Sequence, residues 1–176
     1  MVRVVATTVV LLSVTAAAAS PQKLVRGDVR VLCPMTVGGS FEVKTTAISG
    51  SVPGELVVDL TTLDSGLSLR NDHMRNNYLE VGKGNGFDKA VMSDVRVQEG
   101  PLETVAGRVT FTATLSLHGT NRPVTGRGQV KRSGTGTHVE ASFPLTLSDF
   151  GIAKPQYLGI GVKNEVQIRA TFDLAP

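Results

Sequence analysis

The chain contains no tryptophan and one cysteine, and aromatic residues make up only 5% of it. A lone Cys33 excludes an intrachain disulfide, and a buried thiol acting as a small hydrophobe suits it best. Histidine is equally sparse: only His73, His118 and His138 occur, and a three-histidine zinc site would need all of them to converge. Their positions, in a helical segment, at a strand end and beside inward Val139, suit two turn histidines and one on the surface, so no metal is expected. No Gly-x-Ser-x-Gly elbow occurs, Cys33-Pro34 has no histidine near it in sequence, and acidic residues alternate with basic ones without pairing beside an apolar face. No catalytic residue and no cofactor are therefore expected, and the chain does not read as an enzyme. The formal net charge is +3, yet basic residues adjoin at most in pairs, as in Lys131-Arg132. That scatter excludes a phosphate-tracking surface and with it nucleic acid. No Asn-x-Ser/Thr acceptor occurs either.

Long apolar runs are absent after the N-terminus. There, Arg3 precedes an apolar stretch from Val4 to Leu12, followed by Ala17-Ala18-Ala19. This is the pattern of a secretory signal cleaved after Ala19, too short for the roughly 20 apolar residues of a membrane span. Residues 1–19 are thus expected to be a signal peptide and 20–176 a single exported domain, with no stable membrane insertion after cleavage.

What is present is alternation with period two, the mark of strands with one apolar face. Val25, Val29, Val31 and Cys33 share a face, as do Phe41, Val43, Thr45 and Ala47, and Leu56, Val58 and Leu60. Phe87, Val91, Val95 and Val97 make a fourth run, and Val105 to Leu117 the clearest fifth. Val124 to Val130, Val139 to Leu147 and Val162 to Leu174 complete eight strands, joined by turns rich in Gly, Pro, Asn and Ser. Such strands close well into an antiparallel barrel, just wide enough to fill with side chains or to hold one slender ligand. The inward residues are mostly small, which favours a cavity. Leu67, Arg70, Met74 and Tyr78 recur at helical spacing, predicting a short helix over 67–81, ended by Gly82 and laid across one barrel end. Gly82-Lys-Gly-Asn-Gly86 lacks the Lys-Ser/Thr of a phosphate loop and follows a helix instead of a strand. It is a loop whose glycines suit a portal or a plain connection equally.

Several segments occur in a telling order: Asp59-Leu-Thr-Thr-Leu-Asp-Ser-Gly66, Arg70-Asn-Asp-His73-Met74, His118-Gly119-x-x-Arg122-Pro123-Val124, and Phe150-Gly151 followed by Leu158-Gly159-Ile160. Together they resemble the YceI-like family of secreted, lipocalin-like barrels that bind polyisoprenoid or other long amphiphilic lipids. The opening strand, Gly27 to Pro34, departs from the family's usual start, and the Gly-x-Trp of true lipocalins is missing. The resemblance implies an eight-stranded antiparallel lipocalin-like barrel in a periplasmic or secreted protein. It would sequester or carry a polyisoprenoid, an isoprenoid quinone or a fatty amide without chemistry on it, and a homodimer is left open.

Candidate lining positions are Phe41, Val43, Leu56, Val58, Val91, Val109, Phe111, Ala113, Leu115, Phe143, Val166, Ile168 and Phe172. The same residue types would serve a packed core. At the mouth, Arg70, His73 and Tyr78 are positioned to tune headgroup choice, although Arg70 could instead pin its turn by pairing with Asp64 or Asp72, the commoner arrangement. A secreted protein-interaction module with a filled barrel is the first alternative, and a lipid-modifying hydrolase the second.

Overall fold

The computed structural model describes residues 20–134, 136–157 and 160–175. The expected signal peptide and Leu158-Gly159 of the last family segment lie outside the described residues. The strands are β1 (Gln22–Pro34), β2 (Ser40–Thr45), β3 (Ile48–Val52), β4 (Leu56–Asp59), β5 (Lys89–Val97), β6 (Gly107–Leu117), β7 (Thr120–Ser133), β8 (Gly136–Thr146), the short β9 (Gln156–Tyr157) and β10 (Ile160–Gly161), and β11 (Glu165–Leu174). All pairings are antiparallel, in the order β11-β8-β7-β6-β5-β4-β3-β1-β2, and β1 pairs with β11 to close the sheet. Because β2 and β3 both pair with β1 and are parted only by Thr46 and Ala47, they are two halves of one bent strand. The barrel therefore has eight strands, as its alternation predicts.

Alternation fixes what faces inward. In β6, Val109, Phe111, Ala113, Leu115 and Leu117 are buried while Thr110, Thr112 and Thr114 between them are half-buried. Two bulges break the period and correct the predicted faces. Between Leu24 and Arg26 the register against β11 slips, so Leu24 is buried and Val25, expected inside, is 67% exposed. Between Ser93 and Arg96 the register against β6 slips again, and Asp94 takes a left-handed φ of 53°. Before that bulge Ala90 and Met92 face the interior, and after it Val95 and Val97 do. Val91 consequently lies on the other face. An inserted residue reverses the parity of everything beyond it.

The core divides into two clusters along the barrel axis. One gathers Leu24, Val52, Leu102, Val130, Val139, Phe172 and Leu174, the other Cys33, Val43, Leu60, Leu63, Phe143, Leu145, Phe150, Ile152 and Val166. Phe111 meets Phe143 edge to face, with ring centroids 6.2 Å apart. The Phe111 ring lies on Gly126, where an added Cβ would meet the ring and stand 2.6 Å from the Ser142 carbonyl oxygen. The short helix is α1 (Ser68–His73), continued by a wider π turn over Met74–Tyr78 in which the Leu79 amide donates to the Met74 carbonyl at 2.8 Å. It ends before the predicted Gly82, because Glu80 adopts a left-handed conformation (φ 51°, ψ 39°).

Gly126→Ala should destabilise the barrel by about 1–3 kcal/mol, the usual cost of overpacking a filled position. Urea unfolding followed by circular dichroism measures it; an unchanged midpoint would mean that the ring and the β8 backbone both give way freely.

Candidate functional site

The barrel is hollow. A cavity of about 1230 Å³ runs from Val52, Leu102, Val130 and Val139 at one end to α1 at the other. Ordinary small-molecule pockets measure about 300–1,000 Å³, so this one is large for a chain of this size. Of the predicted lining residues, Phe41, Val43, Leu56, Val58, Val109, Phe111, Leu115, Phe143, Val166, Ile168 and Phe172 all line it. Val91 does not, for the reason of register given above. Ala113, opposite the same bulge, is buried but does not line the cavity. A filled barrel, on which the protein-interaction alternative rested, is not what forms.

The polarity of the cavity is graded. Apart from Cys33, every lining side chain among the described residues that can form a hydrogen bond lies at the mouth: Ser68, Arg70, His73, Asn77, Tyr78 and Gln156. The three predicted mouth residues are thus together. Ser68, Asn77 and Gln156 were not anticipated: the helical period places Asn77 on the Arg70 face, but no sequence signal brings Gln156 across. Leu67, Leu69 and Ile160 line the opening while 55%, 67% and 47% exposed, forming an apolar lip. The Gly82–Gly86 loop does not border the cavity, so the opening is not there. Among the described residues no helix is long and apolar enough to cross a membrane.

Arg70 does not pair with Asp64 or Asp72. Its guanidinium sits 4.0 Å from the centroid of the Phe41 ring, and no hydrogen bond or ion pair to it occurs among the described residues. Asp64 is already engaged, accepting from Asn71 Nδ2 (2.8 Å) and the Gly66 amide (2.9 Å). Asn71 also accepts from the Ser65 amide and hydroxyl, and Arg75 donates to the Leu63 carbonyl at 2.6 Å. Asn71 and Arg75, neither of them singled out from sequence, are what tie α1 to the turn before it. These bonds stabilise the ionised Asp64, the Asn71 contact foremost, and hold its carboxyl below the usual range.

The other end of the helical segment is held by His118. This residue and Gly119 form the two-residue β6–β7 turn, with φ of 51° and 71°, the left-handed pair that a tight hairpin needs. His118 donates from Nδ1 to the Phe150 carbonyl (3.0 Å), while Nε2 faces Glu80 at 3.2 Å. Arg122 donates to the Asp149 carbonyl at 3.1 Å. The Glu80 carboxyl is lowered, chiefly by Lys83, which pairs with it at 2.7 Å. His138 is elsewhere, on the outer face against Asp173 at 2.6 Å. The three histidines hold three separate places, and no metal-ligating cluster forms among the described residues. Cys33 is pushed up to about 11 by burial, against a smaller opposing pull from Arg70.

The sequence model of the YceI-like domain matches residues 14–174. Solved structures of similar fold include a polyisoprenoid-binding domain from Saccharophagus degradans implicated in plant cell wall breakdown, at 20% identity and a TM-score of 0.67, covering 88% of this chain and 98% of that one. Burkholderia cenocepacia BcnA matches at 15% identity and a TM-score of 0.64, covering 84% and 95%. A Campylobacter jejuni YCEI protein matches at 9% identity and a TM-score of 0.53, covering 98% and 92%. At these identities the likeness is one of fold. No curated protein sequence matches the chain closely enough to carry an argument.

Two outcomes follow from the site's chemistry. Iodoacetamide should alkylate native Cys33 at pH 8 far more slowly than the unfolded chain, since the thiolate is the nucleophile and burial disfavours it; equal rates would contradict a buried thiol. The Gly66 amide shift should titrate with a midpoint below the about 3.9 of an ordinary aspartate. Because the folded carboxyl is the stronger acid, its tether contributes at neutral pH and is lost as pH falls through that midpoint. Asp64→Asn should abolish the titration in the same NMR series.

Proposed function

This chain belongs to the YceI-like family, and we propose that it is an exported carrier that sequesters a polyisoprenoid or similar long-chain amphiphile, tail inside the barrel and headgroup at the mouth. The observation that carries this is the cavity itself: large, apolar along its length, and among the described residues polar only beside α1. Each buried methylene contributes about 0.8 kcal/mol, whereas association costs about 4–15 kcal/mol. Long tails overcome that cost and short ones do not. The headgroup would sit among Arg70, His73 and Tyr78, and a tail entering or leaving would pass over Leu67, Leu69 and Ile160. The binding of polyisoprenoid named for the Saccharophagus degradans domain supports the same ligand class here.

Binding without chemistry fits the lining, where no histidine is hydrogen-bonded to a serine or cysteine among the described residues and the Cys33 thiol stays protonated. That disfavours the hydrolase. Export rests on the segment 1–19, and with it a periplasmic or secreted location; N-terminal sequencing of the protein from its own host checks cleavage after Ala19.

Native mass spectrometry of protein purified without detergent should show a long-chain lipid mass released on unfolding. If only the bare chain appears and added polyprenyl and fatty ligands do not bind, the carrier role fails. Ala141 lines the cavity between its two core clusters, so Ala141→Trp should leave the strand circular dichroism intact while reducing lipid uptake at least tenfold, equivalent to about 1.4 kcal/mol.

A further inference from the structure

Taking the carrier role as its footing, we propose that Leu102 is the floor of the lipid site and sets the longest tail that the barrel takes. Val52, Leu102, Val130 and Val139 border the end of the cavity away from α1. Among the described lining residues of that end, only Leu102 stands outside a strand, in the β5–β6 connection over residues 98–106. It is nevertheless 8% exposed, buried in one cluster with Leu24, Val130, Phe172 and Leu174. A connection that sends a leucine into a core built by strands lays that side chain across the barrel end. Beside it is a second cavity of about 330 Å³, bordered also by Pro53, Arg96, Gly100, Pro101 and Glu103. Val52, Val95, Val97 and Leu102 line both cavities, so these four aliphatic side chains form the wall between them.

The connection is pinned in place. The Pro101 carbonyl accepts from the Thr104 and Val105 amides at 3.0 and 3.1 Å and from the Thr104 hydroxyl at 3.0 Å. The Glu99 carboxylate accepts from the Thr110 amide at 2.9 Å, and Arg132 of β7 donates to the carbonyl of Leu102 itself at 3.2 Å. The two sides of the wall differ in chemistry. On one is the apolar channel; on the other stand Arg96 and Glu103, whose Oε1 is buried with no hydrogen-bond partner among the described residues. Hydrocarbon gains by burial as far as Leu102, whereas pressing it against those charged groups costs free energy. The inward face of β6 gives the depth, from Val109 in the floor cluster to Leu117 in the mouth cluster. At about 3.4 Å per residue and a tilt of about 40°, those eight steps span roughly 20 Å along the axis. A tail shorter than the channel gains with every unit added, and a longer one leaves hydrocarbon outside.

The test offers delipidated protein an equimolar series of prenols sharing one headgroup, from farnesol and geranylgeraniol up to solanesol and undecaprenol, and reads the captured lengths by native mass spectrometry. Wild-type capture should rise with each added isoprene unit and stop rising at one length. Leu102→Ala cuts the floor back to a methyl group and should move that breakpoint up by at least one isoprene unit, with the strand circular dichroism retained. An unmoved breakpoint would overturn the proposal while leaving the carrier role standing, as would capture that rises without a break to undecaprenol. Should the variant not fold, the wild type decides alone: a prenol of the breakpoint length bearing a diazirine at its far end should label residues 98–106 on irradiation. Labelling confined to other segments would overturn the proposal. Failure of the wild type to capture any prenol would instead remove the carrier role on which the proposal rests.

Discussion

Pairing of β1 with β11 closes the sheet, and closure commits the protein to an interior of set width that side chains must fill or leave empty. Here they leave it empty. Of the facing positions in β7, two are Gly126 and Gly128, while Ala141 stands on neighbouring β8, Ala90 on β5 and Ala170 on β11. Two of the large rings that line the interior, Phe111 and Phe143, meet each other edge to face. Phe111 settles on the bare backbone of Gly126 and so stays close to the wall. Small residues where the barrel is wide, with rings drawn to the side, leave a continuous apolar channel.

The polar groups of the lining and its exposed apolar lip lie at the α1 end. The described residues of the segments that carry the family resemblance serve that end. Asp59 caps the turn at Leu60–Thr62 through the Thr61 amide at 2.9 Å, Asp64 and Asn71 join that turn to α1, and His118 ties Glu80 to the Phe150 carbonyl. Backbone bonds between Thr36 and Gly161 (2.7 Å) and between Lys163 and Pro34 (2.8 Å) add the β1–β2 turn and the β9–β10 hairpin to the same collar. The polar groups meant to be spent on structure are paired with one another. Arg70 and His73, whose side chains have no hydrogen-bond partner among the described residues, line the cavity at that end.

The family segments could be read from sequence, yet their role was only half visible there. Arg70 stood out as a mouth residue, and an ion pair to Asp64 or Asp72 was a reasonable rival use for it. Asn71, one residue further along, takes that partner instead. A one-residue step around a helix turns a side chain by about 100°, enough to send Asn71 to the turn and Arg70 to the cavity. Which of two adjacent residues makes the local bond depends on how the helix is rotated against the barrel, and periodicity alone does not report that rotation.

Strand number, antiparallel order, the hairpin at His118-Gly119 and most of the inward faces were determined by the sequence itself, because alternation and turn chemistry are local properties of the chain. Three matters were left to the tertiary structure. The bulges at Val25 and Asp94 reversed parity, sending Val25 and Val91 outward, since a bulge exists only in the pairing of two strands. The hollow interior followed from closure and from the way Phe111 lies on Gly126. Arg70 stands without a hydrogen-bond or ion-pair partner among the described residues, while Asn71 and the Gly66 amide hold Asp64. Apolar lining and apolar core use the same residues, and only their arrangement in space decides whether room remains for a ligand.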